Sequence, residues 1–195
     1  TSEHILAEAL RAKDIPCAAA VMNALAGMNS QEAVNEYITY YSDENVNTKA
    51  AALNALAQSG SPLAYPVLLK AAQGYSYRWE RTGAVSSLLN YASVCGKKGD
   101  MKTADKICKL LIANCNDNLN MQNKIAALPI YTDLHGADAM SEILKAAAHT
   151  DKKFRIAAID MSASIKSEVV TKKWLAYFPK AIPEARPEIL RMLGA

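Results

Sequence analysis

The side chains able to do chemistry are few and scattered. Three histidines, His4, His135 and His149, fall in separate segments with no HxxxH or HxxE spacing. A metal centre needs at least three converging ligands with supporting partners, and this pattern offers none. The four cysteines, Cys17, Cys95, Cys108 and Cys115, form no CxxC pair. Cys108 and Cys115 lie seven apart on one helix face, about 10 Å along the axis, too far for a bridge or a shared metal. Buried free thiols acting as small hydrophobes are expected, with an approach of Cys95 to Cys108 across a helix turn as the alternative. Gly96-Lys97-Lys98-Gly99 lacks the strand–loop–helix setting of a phosphate loop, and no Gly-x-Ser-x-Gly elbow occurs. The reading is non-catalytic, without metal or cofactor.

One surface motif stands out, Tyr75-Ser76-Tyr77-Arg78-Trp79. Aromatic rings beside an arginine are the residue types that anchor interfaces, and planar rings also stack on sugars or bases. Tyr75, Tyr77, Arg78 and Trp79 are therefore candidate binding residues, with Tyr37, Tyr40 and Tyr41 in the preceding segment as neighbours. The competing and favoured reading has Trp79 and one tyrosine filling a gap in the core.

A net charge of +3 is mild. Lys97, Lys98, Lys102, Lys106 and Lys109 cluster, but Asp100 and Asp105 interrupt them, so the group reads as a solvated helix face and not as a nucleic-acid surface. No run of eighteen apolar residues is present, so no membrane span is expected. The sequence shows no signal peptide; opening on Thr1 and stopping at Ala195 on a repeat motif, it reads as cut from a longer chain.

The elements that carry these residues repeat. A basic or small residue followed by alanine-sized residues and an aliphatic recurs as Cys17–Val21, Lys49–Leu53, Arg81–Val85, Lys124–Leu128, Arg155–Ile159 and Arg186–Leu190, at intervals of 32, 32, 43, 31 and 31 residues. Such a period marks a repeat array, in which stacking supplies the core that no unit has alone. The basic anchors Lys49, Arg81, Lys124 and Arg155 join the candidate binding residues.

Six helix pairs are predicted: 2–12 with 15–27, 30–42 with 46–59, 62–73 with 77–95, 100–115 with 119–135, 137–149 with 152–165, and 168–178 with 184–193. Aliphatic or small residues four and seven positions past each anchor share a helix face and should form the seam between repeats. These are Val21, Leu53, Val85, Leu128, Ile159 and Leu190, then Ala24, Leu56, Leu88, Tyr131, Ser162 and Leu193. Asn45, Asn120 and Asp151 are expected to cap second helices, and Asn29 with Glu32 resembles a capping box. Gly60 and Gly136 suit left-handed helix ends, and Pro129 should kink its helix.

The anchor pattern Asp/Asn-x-x-x-Arg/Lys-x-Ala-Ala-Leu/Ile resembles the HEAT repeat family of armadillo-type folds, best at Asp151–Ile159 and well at Asn45–Leu53 and Asn120–Leu128. The resemblance spans essentially the whole chain. It implies an all-α fold, a right-handed α-solenoid of about six antiparallel helix pairs forming one domain over 1–195. In that family the acidic and basic positions pair between or within repeats. The resemblance implies a scaffold that binds a protein or an adjacent domain across its second helices. A second reading is an accessory module beside a jelly-roll domain of the keto-disaccharide hydrolase kind, which would place it in a bacterial periplasm or envelope. A HEAT-like DNA glycosylase is the remote third. That chemistry needs a carboxylate near an aromatic in a basic groove, yet Gly83 and Phe178 stand one turn after Trp79 and Trp174.

Overall fold

Alanine has the highest helix propensity and lets neighbouring axes approach, and this alanine-rich chain forms helices throughout. A computed structural model describes residues 2–12 and 17–194; Ile15, the expected start of the second helix, lies outside them. Among the described residues there is no strand, and the order is α1 (Ser2–Arg11), α2 (Ala18–Gly27), α3 (Val34–Tyr40), α4 (Val46–Ser59), α5 (Ala64–Gly74) and α6 (Ala84–Lys97). Then come α7 (Met101–Asn114), α8 (Met121–His135), α9 (Met140–Ala147), α10 (Lys152–Ser162), α11 (Glu168–Tyr177) and α12 (Arg186–Leu193). Short 3-10 turns lie at Gly136–Ala139, Phe178–Lys180 and Pro183–Ala185.

The chain divides into two compact units, Thr1–Ile107 and Cys108–Ala195, with the boundary inside α7. In the first, α4 lies between α2 and α6, while α1, α3 and α5 pack on α2, α4 and α6 respectively. Second helices thus form one layer and first helices another, the arrangement of a solenoid of helix pairs. The second unit repeats the scheme, with α10 between α8 and α12 and with α9 packed on α10 and α11. Because α4 has neighbours on three sides, Ala51, Ala52, Leu53, Ala55, Leu56 and Ala57 are all buried. In the second unit Trp174 is fully buried. Its indole N–H donates to Ser162 Oγ at 2.9 Å, and that hydroxyl donates to the Ile159 carbonyl at 2.6 Å. A polar residue at the seam is thereby satisfied, which a buried hydroxyl requires.

The seam is as expected in α4, α6, α8 and α10, where Leu53, Leu56, Val85, Leu88, Leu128, Tyr131, Ile159 and Ser162 are buried. In α2 it runs one residue later, through Met22 and Leu25, and in α12 one residue earlier, through Ile189, which leaves Leu190 57% exposed. The third pair keeps its seam but departs in its helix start: α6 begins at Ala84 and not at Tyr77. Gly83 takes a left-handed φ of 70° just before α6, so Arg81 precedes the helix that it was expected to anchor.

Caps divide in the same way. Asn45 Oδ1 accepts the N–H groups of Asn47 and Thr48 at 2.8 and 3.3 Å, and Asp151 Oδ1 accepts that of Phe154 at 2.8 Å. Asn120 does not cap α8; its Oδ1 accepts the Asp117 N–H at 3.0 Å, while Asp117 Oδ1 accepts the N–H groups of Leu119 and Asn120. Asn29 closes α2 instead of opening α3: its φ is 54°, and the Ser30 N–H reaches the Leu25 carbonyl at 3.0 Å. Ser30 Oγ then accepts the Glu32 N–H at 3.3 Å. Helix α8 continues through Pro129 to His135.

Gly60 closes α4 in the left-handed region with φ 59°. A methyl there would meet Lys98 Nζ at 2.8 Å and Val94 Cγ1 at 2.9 Å. Gly60→Ala is expected to destabilise the first unit by roughly 1–3 kcal/mol, from left-handed strain together with overpacking. Urea unfolding followed by circular dichroism checks this.

Candidate functional site

The loop between α5 and α6 is held at both ends. On leaving α5, the Ser76 N–H bonds the Gln73 carbonyl at 2.9 Å and the Tyr77 N–H bonds that of Ala72 at 3.0 Å, which satisfies the last turn of the helix. Ser76 and Tyr77 adopt φ values of 52° and 56°, a conformation that non-glycine residues keep only where the surroundings enforce it. On entering α6, the Glu80 carboxylate accepts the Thr82 N–H at 2.6 Å, the Thr82 hydroxyl at 2.7 Å and the Ala84 N–H at 2.6 Å. A carboxylate at a helix N-terminus is favoured by the dipole and by its free N–H groups.

Between these fixed ends the aromatic rings point outward. Trp79 is 72% exposed and Tyr75 49%, so Trp79 does not fill a core gap. Tyr77 is half-buried and Arg78 exposed. Tyr41 lies close enough that Tyr75 and Glu80 add to the burial that raises its hydroxyl. Tyr37 is fully buried, and the Tyr40 hydroxyl donates to the Leu10 carbonyl at 3.4 Å. Of the three neighbouring tyrosines, Tyr41 is placed beside the loop.

The basic anchors do not act alike. Lys49 is half-buried on α4 and Arg81 is exposed before α6. Arg155, on α10, is buried and reaches back to the carbonyls of His149 and Thr150 at 2.9 and 3.4 Å, just past the end of α9. Lys124, on α8, is buried too; its ammonium donates to Asn116 Oδ1 at 2.7 Å and lies 4.8 Å from the centre of the Phe154 ring. Asp151 caps its own helix and forms no ion pair with either cation among the described residues. The expected pairing of acidic and basic repeat positions is therefore replaced here by contacts to backbone and amide oxygens.

Lys124 opens on a cleft of about 130 Å³ lined by Ile112, Glu142, Lys145, Ala146, His149 and Phe154. Burial pushes its amine below the usual lysine value, against smaller pulls from Cys115 and Asp151. Burial, with Lys124 adding to it, also lowers His149. The His149 Nδ1 accepts the Asp151 N–H at 3.0 Å, which leaves Nε2 to carry the proton in the neutral ring. Asn116, His149 and Phe154 went unread in the sequence because their shared role depends on two turns being folded together. Glu80 was missed because glutamate is an unusual cap.

Cys95, Cys108 and Cys115 are buried and Cys17 is exposed, all as free thiols. Among the described residues no group of three or more histidine, cysteine or acidic side chains could hold a metal. No helix described is long and apolar enough to cross a membrane.

Residues 2–89 match the family model for HEAT repeats. Residues 2–89 are thus similar to HEAT repeats. The matched stretch carries α1 to α5 and the opening of α6, and so includes the aromatic loop. No curated protein matches the chain. A HEAT-like stack is a helical repeat scaffold: its regular part is core, and what varies is what the turns and helix faces present.

Packing in the second unit buries Cys115 completely and pushes its thiol from 9.0 up to about 11. The folded state thus holds this proton more tightly than the unfolded state. Its stabilising contribution is complete below pH 9.0 and is lost as pH rises through about 11. Cys115→Ala is expected to flatten the fall of the urea midpoint across that alkaline window.

Proposed function

We propose that this HEAT-like chain is a non-catalytic scaffold that binds a protein partner, or a neighbouring domain of its own polypeptide, through the aromatic loop at Tyr75, Tyr77, Arg78 and Trp79. HEAT repeats generally mediate protein interactions, and the feature that carries the reading is the exposure of Trp79. An indole 72% exposed on a loop anchored at both ends meets a partner with little conformational freedom left to lose, which favours binding. Tryptophan, tyrosine and arginine dominate measured interface hot spots. Tyr41 broadens the aromatic surface beside the loop. The second helices, with Lys49 half-buried on α4 and Lys124 at its cleft on α8, supply further places for contact, whereas Arg155 is buried against backbone carbonyls.

The triple variant Tyr77→Ala, Arg78→Ala and Trp79→Ala tests this. The intact chain, immobilised and exposed to an extract of its source cells, is expected to retain a reproducible set of proteins. Crosslinking should place them at the loop, and the triple variant should lose them at least tenfold while keeping its helical circular dichroism. Equal retention by the variant rejects the loop as the binding surface.

A further inference from the structure

Lys124 is only 6% exposed, yet its ammonium meets an amide oxygen and an aromatic ring, neither of which carries charge. Among the described residues no carboxylate forms an ion pair with it. A buried cation without an ion-pair partner is costly, because water has been removed; the Asp151 carboxylate acts on it only from a distance and is committed to capping its own helix. The ammonium has three N–H donors, and Asn116 with the Phe154 ring leaves donor capacity toward the cleft. His149, which lines the same cleft, is held by the Asp151 N–H in the tautomer that keeps Nε2 as a second donor. The one carboxylate of the cleft wall, Glu142, is bound by Lys145 at 2.7 Å.

The volume narrows the ligand. At about 130 Å³ the cleft is well below the roughly 300–1,000 Å³ of drug-sized pockets, and it accommodates a group of a few heavy atoms. Ile112 and Phe154 offer apolar walls for a short methylene stem, while Lys124 and His149 offer donors for its head. An aspartate or glutamate side chain has that shape and charge.

We propose that the Lys124 cleft receives the carboxylate of an acidic side chain projecting from a protein partner. The proposal rests on the scaffold reading above, but on a different surface, in the second unit, from the aromatic loop.

The test uses the whole chain and small probes, followed by the NMR signals of the His149 and Phe154 rings. Propionate supplies the bare carboxylate, propionamide its neutral isostere, and N-acetylglutamate amide the side chain as a partner would present it. Propionate and N-acetylglutamate amide are expected to give saturable shifts, with propionamide at least tenfold weaker. Lys124→Met should weaken both acids at least tenfold, while Lys124→Arg should keep them within about threefold. Equal responses to propionate and propionamide overturn the proposal without any variant that must fold. Binding of propionate but not of N-acetylglutamate amide also overturns it, because the occupant would then be a free small acid. Inorganic phosphate binding as tightly as propionate would show a general anion site and likewise overturn it. Capture through Trp79 is measured separately, so failure of the cleft leaves the scaffold reading standing.

Discussion

Short helices packed in layers leave many helix ends to be satisfied. An α-helix has about four N–H groups at its start and four carbonyls at its end without intrahelical partners. Here helices run from 7 to 15 residues, so the ends are a large share of the backbone. The charged and amide side chains are committed to this task. Lys98 donates to the Ser59 carbonyl at 2.6 Å at the end of α4, Arg155 to His149 beyond α9, and Arg186 to the Ala181 carbonyl at 3.1 Å beyond α11. Asn45, Asp151 and Glu80 take the opposite duty at helix starts. Most of these bonds close a turn locally, while the Lys98–Ser59 bond ties the end of α6 to the end of α4. Exposed ion pairs such as Lys172 with Glu168 contribute little beside this.

The same constraint produces the candidate site. If the α5–α6 connection were free at its ends, exposed rings would collapse onto the nearest apolar surface. Instead the last carbonyls of α5 draw the N–H groups of Ser76 and Tyr77 back, and Glu80 fixes the entry to α6. The left-handed turn between them follows from these two fixed ends. Trp79 lies in the short span that neither end can use. Exposure of an indole is thus a consequence of how two helices are terminated, and this is why the loop presents its rings in a defined place.

What the sequence made legible was whatever depends on neighbouring residues. Asn45 and Asp151 sit four residues before Lys49 and Arg155 and both cap, whereas Asn120, at the same spacing from Lys124, is drawn into a turn with Asp117 instead. The helix pairs, the all-α class and the buried faces of α4, α6, α8 and α10 follow from local periodicity. The third pair was misread because Arg81-Thr82-Gly83-Ala84-Val85 has the letters of an anchor. Only the backbone shows that Gly83 is left-handed and Glu80 is the cap. The register of α2 and α12 slipped by one because their motifs are degraded, leaving burial to choose between adjacent aliphatics. The Lys124 cleft was illegible for a different reason. It is built from α7, α8, α9 and α10 and the turns between them, and no spacing within one helix encodes that meeting.

Lys124 and Arg155 hold equivalent places, each in the first turn of a second helix, yet they resolve burial differently. Guanidinium is a planar fork of five donors, and Arg155 can serve two successive carbonyls from one position while its aliphatic stem packs. Its Nε still lacks a partner, but its charge is set against the negative end of α9, so the site is closed. Lysine is a point charge with fewer and freely rotating donors, and Asn116 with the Phe154 ring supplies no charge to balance it. The lysine leaves a positive charge without an ion-pair partner at the wall of a small apolar-sided opening. That difference between two residues in matched positions, and not any feature common to the repeats, makes this turn a place where a negatively charged group is wanted.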